Sequence, residues 1–354
     1  MPTAGKNLVA MSATPYYHCI GRCVRRAFLW GKDDFSGRDF SHRKAWVTER
    51  LSELTRAFAI NICAYAVMSN HYHLVLHVDT ARAQAWSDQE VARRWAKLFS
   101  LPLLVERYLK GELHIAAEVA VAQKVIAQWR ERLCDLSWFM RALNEPIARR
   151  ANEEDQCTGR FWEGRFKSQA ILDEAGLLAC CVYVDLNPVR AGITSTPEYS
   201  DFTSIRQRLM QAGVVPKLNK PLNQAARSSS KKISHQATQP RQSIFPKLHR
   251  FAKDLNVDPA KGLPFAFRDY VELVDWTARV IRPDKKHAIS DQIPPILQRL
   301  GFTQESFAEH MQAQAMRRGS AIGQLHRVRV YAKHLKKRFV VGVALPYCIP
   351  EPLV

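Results

Sequence analysis

The chain has 354 residues, of which 47% are hydrophobic, and a formal net charge of +19. These values are typical of a globular protein and exclude a natively disordered or collagen-like chain. The length predicts two domains, or one large domain with an extension. No apolar run reaches the roughly 18 residues of a spanning helix, and the sequence does not begin like a signal peptide. We therefore expect a soluble, intracellular protein.

Lys and Arg number 52 against 33 Asp and Glu, and this excess suits a polyanionic partner. Nucleic acid is the first candidate. An anionic membrane surface and a basic surface without a specific partner are the alternatives that charge alone leaves open. The charge is also uneven, because residues 216–354 hold 24 Lys and Arg against 10 Asp and Glu. The two parts of the chain therefore differ electrostatically.

Hydrophobic periodicity predicts mixed helices and strands in the first 215 residues. In chain order these are a strand at 16–23, a helix at 43–58, strands at 60–68 and 71–78, helical patterns at 87–99 and 113–152, a strand or hairpin at 160–172, and a helix at 173–186. Interruptions are expected near Pro102 and Pro146, and Asn187-Pro188 should end the last helix. Antiparallel hairpins mixed with helices favour the α+β class.

The C-terminal part begins with a segment that has nine basic residues and no acidic one between Pro216 and Lys253. Its Ser-rich and Gln/Pro-rich composition predicts a flexible basic linker at 216–253. Helix-like apolar spacing follows at 267–280, 293–300, 306–315 and 322–339. We therefore predict a small, basic, helical domain at 254–354.

Two histidines lie two residues apart on the predicted strand 71–78. His71 and His73 should project from one face with Val75, while Tyr72 and Leu74 face the core. Two imidazoles on one strand face form half of a metal site. The alternative is that they are surface or packed histidines, and the pair by itself does not decide between these.

A second candidate is the pair Tyr183 and Asn187, which are four residues apart. On a helix this spacing is one turn, so the phenol and the amide share a face, as a nucleophile beside a metal ligand would. The alternative is structural: Tyr183 packs with its hydroxyl bonded, and Asn187-Pro188 only ends the helix.

A third candidate lies at 159–168, where cations alternate with aromatic rings. The cations are Arg160, Arg165 and Lys167, and the rings include that of Trp162. Single-stranded nucleic-acid grooves combine cations for phosphates with flat rings for bases. A basic hairpin that covers the core is the alternative.

Taken together, these segments resemble the REP-associated tyrosine transposases, a branch of the single-tyrosine HUH transposases. The resemblance rests on Tyr-Ala-Val-Met-Ser-Asn-His-Tyr-His at 65–73, Gly-Arg-Phe-Trp-Glu-Gly-Arg-Phe-Lys-Ser at 159–168 and Tyr-x-x-x-Asn-Pro-Val-Arg-Ala-Gly at 183–192. The opening Tyr-Tyr-His-Cys with Arg22 is also similar to the family's first strand. The match covers about residues 14–210, with a helical insertion at about 80–155.

The resemblance implies a catalytic domain at 1–215 with a ferredoxin-like antiparallel sheet and flanking helices, as in HUH endonucleases. It implies that His71, His73 and Asn187 bind Mg²⁺ or Mn²⁺ and that Tyr183 is the nucleophile, which leaves a 5′-phosphotyrosine and a free 3′-hydroxyl. The expected partner is single-stranded or hairpin-forming repeat DNA, in a cytoplasmic, nucleoid-associated monomer or homodimer without membrane contact. The residues expected to contact DNA are Arg22, Arg160, Trp162, Arg165, Lys167 and Arg190.

Two alternative functions come from other classes. A histidine-triad phosphate hydrolase would need a third alternating histidine after His73, and Val75 occupies that position. A non-catalytic regulator that binds repeat DNA would be expected to lack the tyrosine or a histidine, and neither is lost here. A covalent protein–DNA adduct discriminates the catalytic reading from the regulatory one.

Overall fold

A computed structural model describes residues 10–24, 39–194, 196–212, 245–252, 262–280, 321–335, 340 and 342–345. Within these residues, no helix is both long enough and apolar enough to cross a membrane. The chain forms a sheet with helices on both of its faces, which confirms the predicted α+β class.

The sheet has six strands in the order β2-β3-β1-β4-β5-β6 among the residues described. The strands are β1 (Tyr16–Arg22), β2 (Ile60–Val67), β3 (His71–Val78), β4 (Lys167–Ile171), β5 (Ala321–Gln324) and β6 (Gly342–Leu345). The first four pair antiparallel, whereas β4, β5 and β6 pair in parallel. The central β1 therefore lies between β3 and β4, so polar side chains on these three strands can meet.

The helices of the described residues are α1 (Arg43–Ala57), α2 (Thr80–Gln84), α3 (Asp88–Trp95), α4 (Leu103–Leu109), α5 (Ala116–Arg132), α6 (Leu136–Glu154), α7 (Glu174–Asp185), α8 (Asn187–Arg190), α9 (Ser204–Gln211), α10 (Phe267–Val280) and α11 (Leu325–His334). Several begin at a side-chain cap. Ser87, Asp135 and Asp173 each accept a hydrogen bond from the backbone N–H three residues later, which satisfies a donor of the first turn.

Both faces of the sheet are buried because successive strand residues point to opposite sides. On one face, Tyr17 and Leu74 pack in a core with α1, α3, α5 and α6. On the other, Val75 and Ile171 pack with α7, α9 and α10. Helix α7 is buried on every side, so its side chains are placed by packing over the whole of their surface.

The fold differs from the sequence prediction at Pro146 and at 160–166 and agrees with it at Asn187-Pro188. The predicted interruption at Pro146 is wrong, because α6 runs through it; the break lies before Leu136, where Asp135 caps the helix. The predicted end at Asn187-Pro188 is confirmed, since α7 ends at Asp185 and α8 starts with Pro188 in its first turn, where a missing N–H costs little. The segment at 160–166 forms no strand, and only β4 does.

The predicted linker and separate C-terminal domain need correction. Residues 245–252 belong to the predicted linker 216–253, yet the backbone N–H of His249 donates to the Ile62 carbonyl of β2 at 2.7 Å. Helix α10, predicted at 267–280, packs against α7 through Tyr270 and Leu273. The predicted helix at 322–339 begins instead as strand β5, which extends the main sheet. The helices predicted at 293–300 and 306–315 lie outside the described residues. The described part of 254–354 therefore packs in both cores of the sheet, α10 and Ile322 with α7, and Ala321 and Tyr331 on the opposite face, so removing residues after 215 would expose both cores.

A buried carboxylate joins α7 to the helices around it. Asp185 accepts hydrogen bonds from the Ser204 hydroxyl at 2.5 Å, the Ile205 N–H at 2.9 Å and the Tyr270 hydroxyl at 2.5 Å. Burial raises the pKa of Asp185 to about 6, although the hydroxyl donors act in the opposite direction. One side chain thus fixes the C-terminal end of α7 to α9 and α10.

We expect Asp185→Ala to lower the free energy of unfolding by about 2–4 kcal/mol, because three buried donors lose their acceptor. Urea denaturation measures this change. Asp185→Asn is the matched control: its amide oxygen can still accept and its amide N–H can donate to the Tyr270 oxygen, so most of the stability should remain. Equal losses in the two variants would contradict the role of these hydrogen bonds.

Candidate catalytic site

Strand β3 presents His71 and His73 on the sheet face that packs against α7, as the alternation predicts. His73 is buried and His71 is half-buried. Tyr72 points to the opposite core, where its hydroxyl donates to Asn144 Oδ1 at 2.5 Å. The two imidazole rings lie with their centroids 4.9 Å apart. The pair is therefore at least partly packed, and this packing alone does not decide between packed histidines and metal ligands.

Tyr183 lies on α7 beside His73 and His18. Its ring centroid is 5.7 Å from that of His73 and 6.1 Å from that of His18, in edge-on contact with both. The side chain is only 1% exposed, and its hydroxyl has no hydrogen-bond partner within the described residues. Buried tyrosine hydroxyls are normally paired. Of the structural alternative, the packing of Tyr183 and the end of the helix are therefore present, but the described residues provide no hydrogen bond for its hydroxyl.

Asn187 and Arg190 follow Tyr183 on the short helix α8. The Asn187 amide Nδ2 donates to the Tyr183 carbonyl at 3.0 Å, which fixes the side chain and leaves Oδ1 as its acceptor atom. The guanidinium carbon of Arg190 lies 5.0 Å from the centroid of the Tyr183 ring. A cation at this distance from the phenol can hold a phosphate beside it and stabilise developing negative charge.

A chain of hydrogen bonds across three strands orients His73. His18 on β1 lies between Gln169 on β4, at 2.8 Å from Oε1 to Nδ1, and His73, at 2.9 Å from Nε2 to Nδ1. The Gln169 carbonyl oxygen can only accept, so His18 donates from Nδ1 and accepts at Nε2. His73 then donates from Nδ1, and its Nε2 carries the lone pair.

His71 is oriented in the same way, with Nδ1 in a hydrogen bond, but by a different neighbour. Its Nδ1 lies 2.6 Å from Asn70 Oδ1, so Nδ1 donates and Nε2 carries the lone pair. Burial lowers the pKa of His18 to about 4, although the hydrogen bond that it donates to Gln169 acts in the opposite direction, so this ring is neutral near pH 7. In each β3 histidine a hydrogen bond thus occupies Nδ1, so Nε2 is the ring nitrogen that could bind a metal.

The donor atoms that could hold a divalent cation are Nε2 of His71, Nε2 of His73 and Oδ1 of Asn187. Two imidazoles with an oxygen ligand suit an open Mg²⁺ or Mn²⁺ site better than a closed zinc site. No group of three or more His, Cys, Asp and Glu residues in the described ranges has the arrangement of a metal site. A site here therefore depends on the amide of Asn187 and on the substrate for its oxygen ligands.

The other residues predicted to contact DNA lie at the His71 end of β3. Arg22 is opposite His71 in the sheet register, and the Glu163 N–H donates to the Arg22 carbonyl at 2.8 Å. The side chains of Arg22, Arg160, Arg165 and Lys167 are exposed. Trp162 differs: it is half-buried, and its indole N–H donates to the Asn144 carbonyl at 2.9 Å. This ring therefore packs partly in the core, as the alternative interpretation of the segment expected.

Sequence reasoning missed His18 and Gln169. Each is a polar residue at an inward-facing position of an otherwise apolar strand, and that pattern is a usable signal. Which polar residues meet, however, depends on the register of β1 with both neighbours, where His18 pairs opposite Val75 and Gln169. Register between strands 50 and 150 residues apart in sequence is not encoded in local periodicity.

We expect Gln169→Leu to weaken Mn²⁺ binding about 10- to 100-fold, as loss of a residue that orients a ligand usually does. Without the acceptor, His18 no longer has a fixed tautomer, and the proton on His73 is free to move to Nε2. Gln169→Glu, which keeps the acceptor, should bind Mn²⁺ nearly as the wild type does. Titration followed by Mn²⁺ electron paramagnetic resonance measures both, and equal affinities for Leu and Glu would contradict the orienting role.

Comparisons with known proteins add one structural likeness. No protein-family model matches the chain, and no curated protein matches it. Among solved structures, the chain is similar to a REP-associated tyrosine transposase bound to a REP hairpin, with 14% sequence identity and a TM-score of 0.34. The alignment covers 66% of this chain and all of that one.

Proposed function

We propose that this protein is a metal-dependent tyrosine transposase or endonuclease that cuts and rejoins single-stranded, hairpin-forming repeat DNA. The observation that carries the proposal is the buried Tyr183 hydroxyl, which has no partner within the described residues and belongs to a ring that lies against His73 and His18. A tyrosine that served only packing would have its hydroxyl bonded. A scissile phosphate beside Arg190 would supply a hydrogen-bond acceptor for the Tyr183 hydroxyl.

In the proposed reaction, the Tyr183 oxygen attacks a DNA phosphorus in line with the departing 3′ oxygen. The oxygen–phosphorus bond to tyrosine forms as the P–O3′ bond breaks, the phenol loses its proton, and the 3′ oxygen takes one up. A divalent cation held by His71, His73 and Asn187 would withdraw charge from the phosphate. Arg190 would hold the phosphate against the phenol and offset the charge that develops on it.

The 5′-phosphotyrosine conserves the energy of the broken bond, so a 3′-hydroxyl can reverse the step without ATP. The antiparallel part of the sheet, β2-β3-β1-β4, is in this proposal the ferredoxin-like sheet of the HUH fold. The exposed cations Arg22, Arg160, Arg165 and Lys167 would contact the backbone of the DNA next to the site. We expect the protein to act in the cytoplasm on nucleoid DNA.

The test is formation of a covalent adduct. The full chain is incubated with Mn²⁺ and a single strand that contains a hairpin repeat and is labelled on the 3′ side of the expected cut, and products are separated under denaturing conditions. A labelled protein band, with the mass of the attached nucleotide found on the peptide that contains Tyr183, supports the proposal. Tight hairpin binding without any adduct would overturn it in favour of a non-catalytic repeat-binding regulator.

A further inference from the structure

A second cationic site lies far from Tyr183, at the opposite end of β3. It is a cavity of about 750 Å³. Its walls come from α1, the start of β2, α2, α3, the end of α9 and the segment 245–250. His71 and His77 are separated by six positions on β3, which is about 20 Å along the strand. The cavity, here called the Arg82 cavity, is therefore distinct from the catalytic site.

Positive charge dominates the Arg82 cavity. Its lining includes one carboxylate, Asp79, and these six cations: Arg56, Arg82, Arg94, Lys97, Lys247 and Arg250. Arg82 pairs loosely with Asp79 at 3.7 Å, and Arg94 pairs with Glu90 at 2.7 Å.

The three cations at its rim, Lys97, Lys247 and Arg250, are exposed and form no ion pair within the part of the chain described. A site with this balance attracts anions and repels metal ions.

The pKa values of the lining groups agree with this charge. Loss of solvation lowers the pKa of Arg82, with Asp79 raising it and Arg94 lowering it, and loss of solvation together with the charges of Arg94 and Arg93 lowers the pKa of Lys97. Lys97 therefore experiences a positive environment, whereas at Arg82 the carboxylate of Asp79 partly offsets the charge of Arg94. An anion in the cavity would relieve the repulsion among these cations.

A buried histidine also lines the cavity. His249 is only 8% exposed, and its Nε2 has no hydrogen-bond partner within the described residues. Its ring stacks on His77 at a centroid distance of 5.0 Å, and its backbone is fixed to Ile62. The ring is thus held rigidly while one nitrogen remains available for a ligand.

The composition of the walls favours a polymer backbone over a small molecule. Pockets for small molecules are mostly apolar, with a few polar groups. Here only Phe245, Pro246 and Leu248 among the lining residues are apolar, and the cations come from separate elements around the cavity. Cations from several elements, together with the rings of Phe245 and His249, match the combination that binds the phosphates of a single strand.

We infer that the Arg82 cavity binds the phosphodiester backbone of a single-stranded nucleic acid, at a second site away from the cut. That the strand is DNA rests on the proposed function. The contact is to phosphates, so it adds affinity without selecting sequence. It also assigns a role to residues 245–250, which lie in the segment that the sequence predicted as a flexible linker.

The test uses the full chain with Tyr183→Phe, so that binding is measured without cleavage. The affinity for a dye-labelled oligothymidine strand is measured by anisotropy at several salt concentrations. The rim variant carries Lys97→Gln, Lys247→Gln and Arg250→Gln. Its matched control carries Arg107→Gln, Lys110→Gln and Lys124→Gln, which removes three exposed cations of the inserted helices. Both variants have the same net charge.

We expect the rim variant to lower the slope of log affinity against log salt by about 2, because each phosphate contact on a single strand contributes about 0.7. The control should keep the wild-type slope. His249→Phe, which keeps the stacking on His77 and removes the ring nitrogens, should weaken binding several-fold. Equal slopes for the rim variant and the control would overturn the inference.

Inorganic pyrophosphate provides the second arm. If pyrophosphate bound the wild type but not the rim variant, while the oligothymidine slope did not change, the cavity would be a site for small phosphorylated molecules and the inference would be wrong. Adduct formation plays no part in these measurements. Failure of the proposed strand cleavage is therefore separable from failure of this site.

Discussion

Replacing Tyr183 with Phe is expected to abolish adduct formation and leave folding intact. Only the hydroxyl is removed, and loss of a nucleophile reduces turnover by at least about a thousand-fold. Because this hydroxyl has no partner within the described residues, its removal breaks no hydrogen bond there. The free energy of unfolding should change by less than about 0.5 kcal/mol, or increase, since an unsatisfied buried polar group is lost. Hairpin binding should be retained.

Tyr65→Phe is the matched control for this experiment. Tyr65 is equally buried, but its hydroxyl donates to Gln207 Oε1 at 3.0 Å. The control should lose about 1 kcal/mol of stability and keep the adduct. Tyr65→Phe should therefore lower the stability and keep the adduct, whereas Tyr183→Phe should keep the stability and lose the adduct. An adduct that persisted in Tyr183→Phe would show that another tyrosine attacks, and the exposed Tyr199 would be the next residue to replace.

Local patterns in the sequence predict most of the N-terminal elements because each element has a period of its own. The strand predicted at 71–78 and the helix predicted at 267–280 have the bounds of β3 and α10. Pro146 misled the prediction, because the packing of α6 against the core outweighs the single hydrogen bond that proline removes. Whether a helix continues through a proline thus depends on tertiary packing, which the local spacing of residues does not reveal.

The C-terminal region shows a different limit. Its basic, polar composition predicts a linker at 216–253, yet Leu248 and Phe251 are buried. Each is one apolar residue among polar ones, and it becomes part of a core only because β2 and α10 provide the other surface. The average composition of a segment does not reveal such single buried residues. The sequence predicts a helix over most of strand β5 for a related reason, since four residues are too few to distinguish the helical period from the strand period.

The candidate site is predicted in part by the same patterns. The shared strand face of His71 and His73, and the one-turn spacing of Tyr183 and Asn187, are local properties and can be read from the chain. That α7 lies over β3, and that His18 connects His73 to Gln169, are long-range properties.

The histidines of β3 give the second prediction with a large effect. We expect His71→Ala to abolish cleavage and to weaken Mn²⁺ binding at least about tenfold, since one of few protein ligands is lost. His73→Ala should do the same, but it also removes a buried ring that is bonded to His18. The half-buried His71 is therefore the cleaner test. His42→Ala, which changes a histidine paired with Glu154 at the surface of α1 and α6, should leave both properties unchanged.

Asn187 can be separated from its structural role by two substitutions. Asn187→Ala loses both the oxygen ligand and the Nδ2 hydrogen bond to the Tyr183 carbonyl, whereas Asn187→Asp loses only the hydrogen bond. If Oδ1 binds the metal, Ala should raise the Mn²⁺ concentration needed for cleavage without abolishing it, and Asp should keep or lower it. If the amide only caps α7, both variants should shift the Mn²⁺ curve equally, and Asn187 would leave the proposed set of ligands.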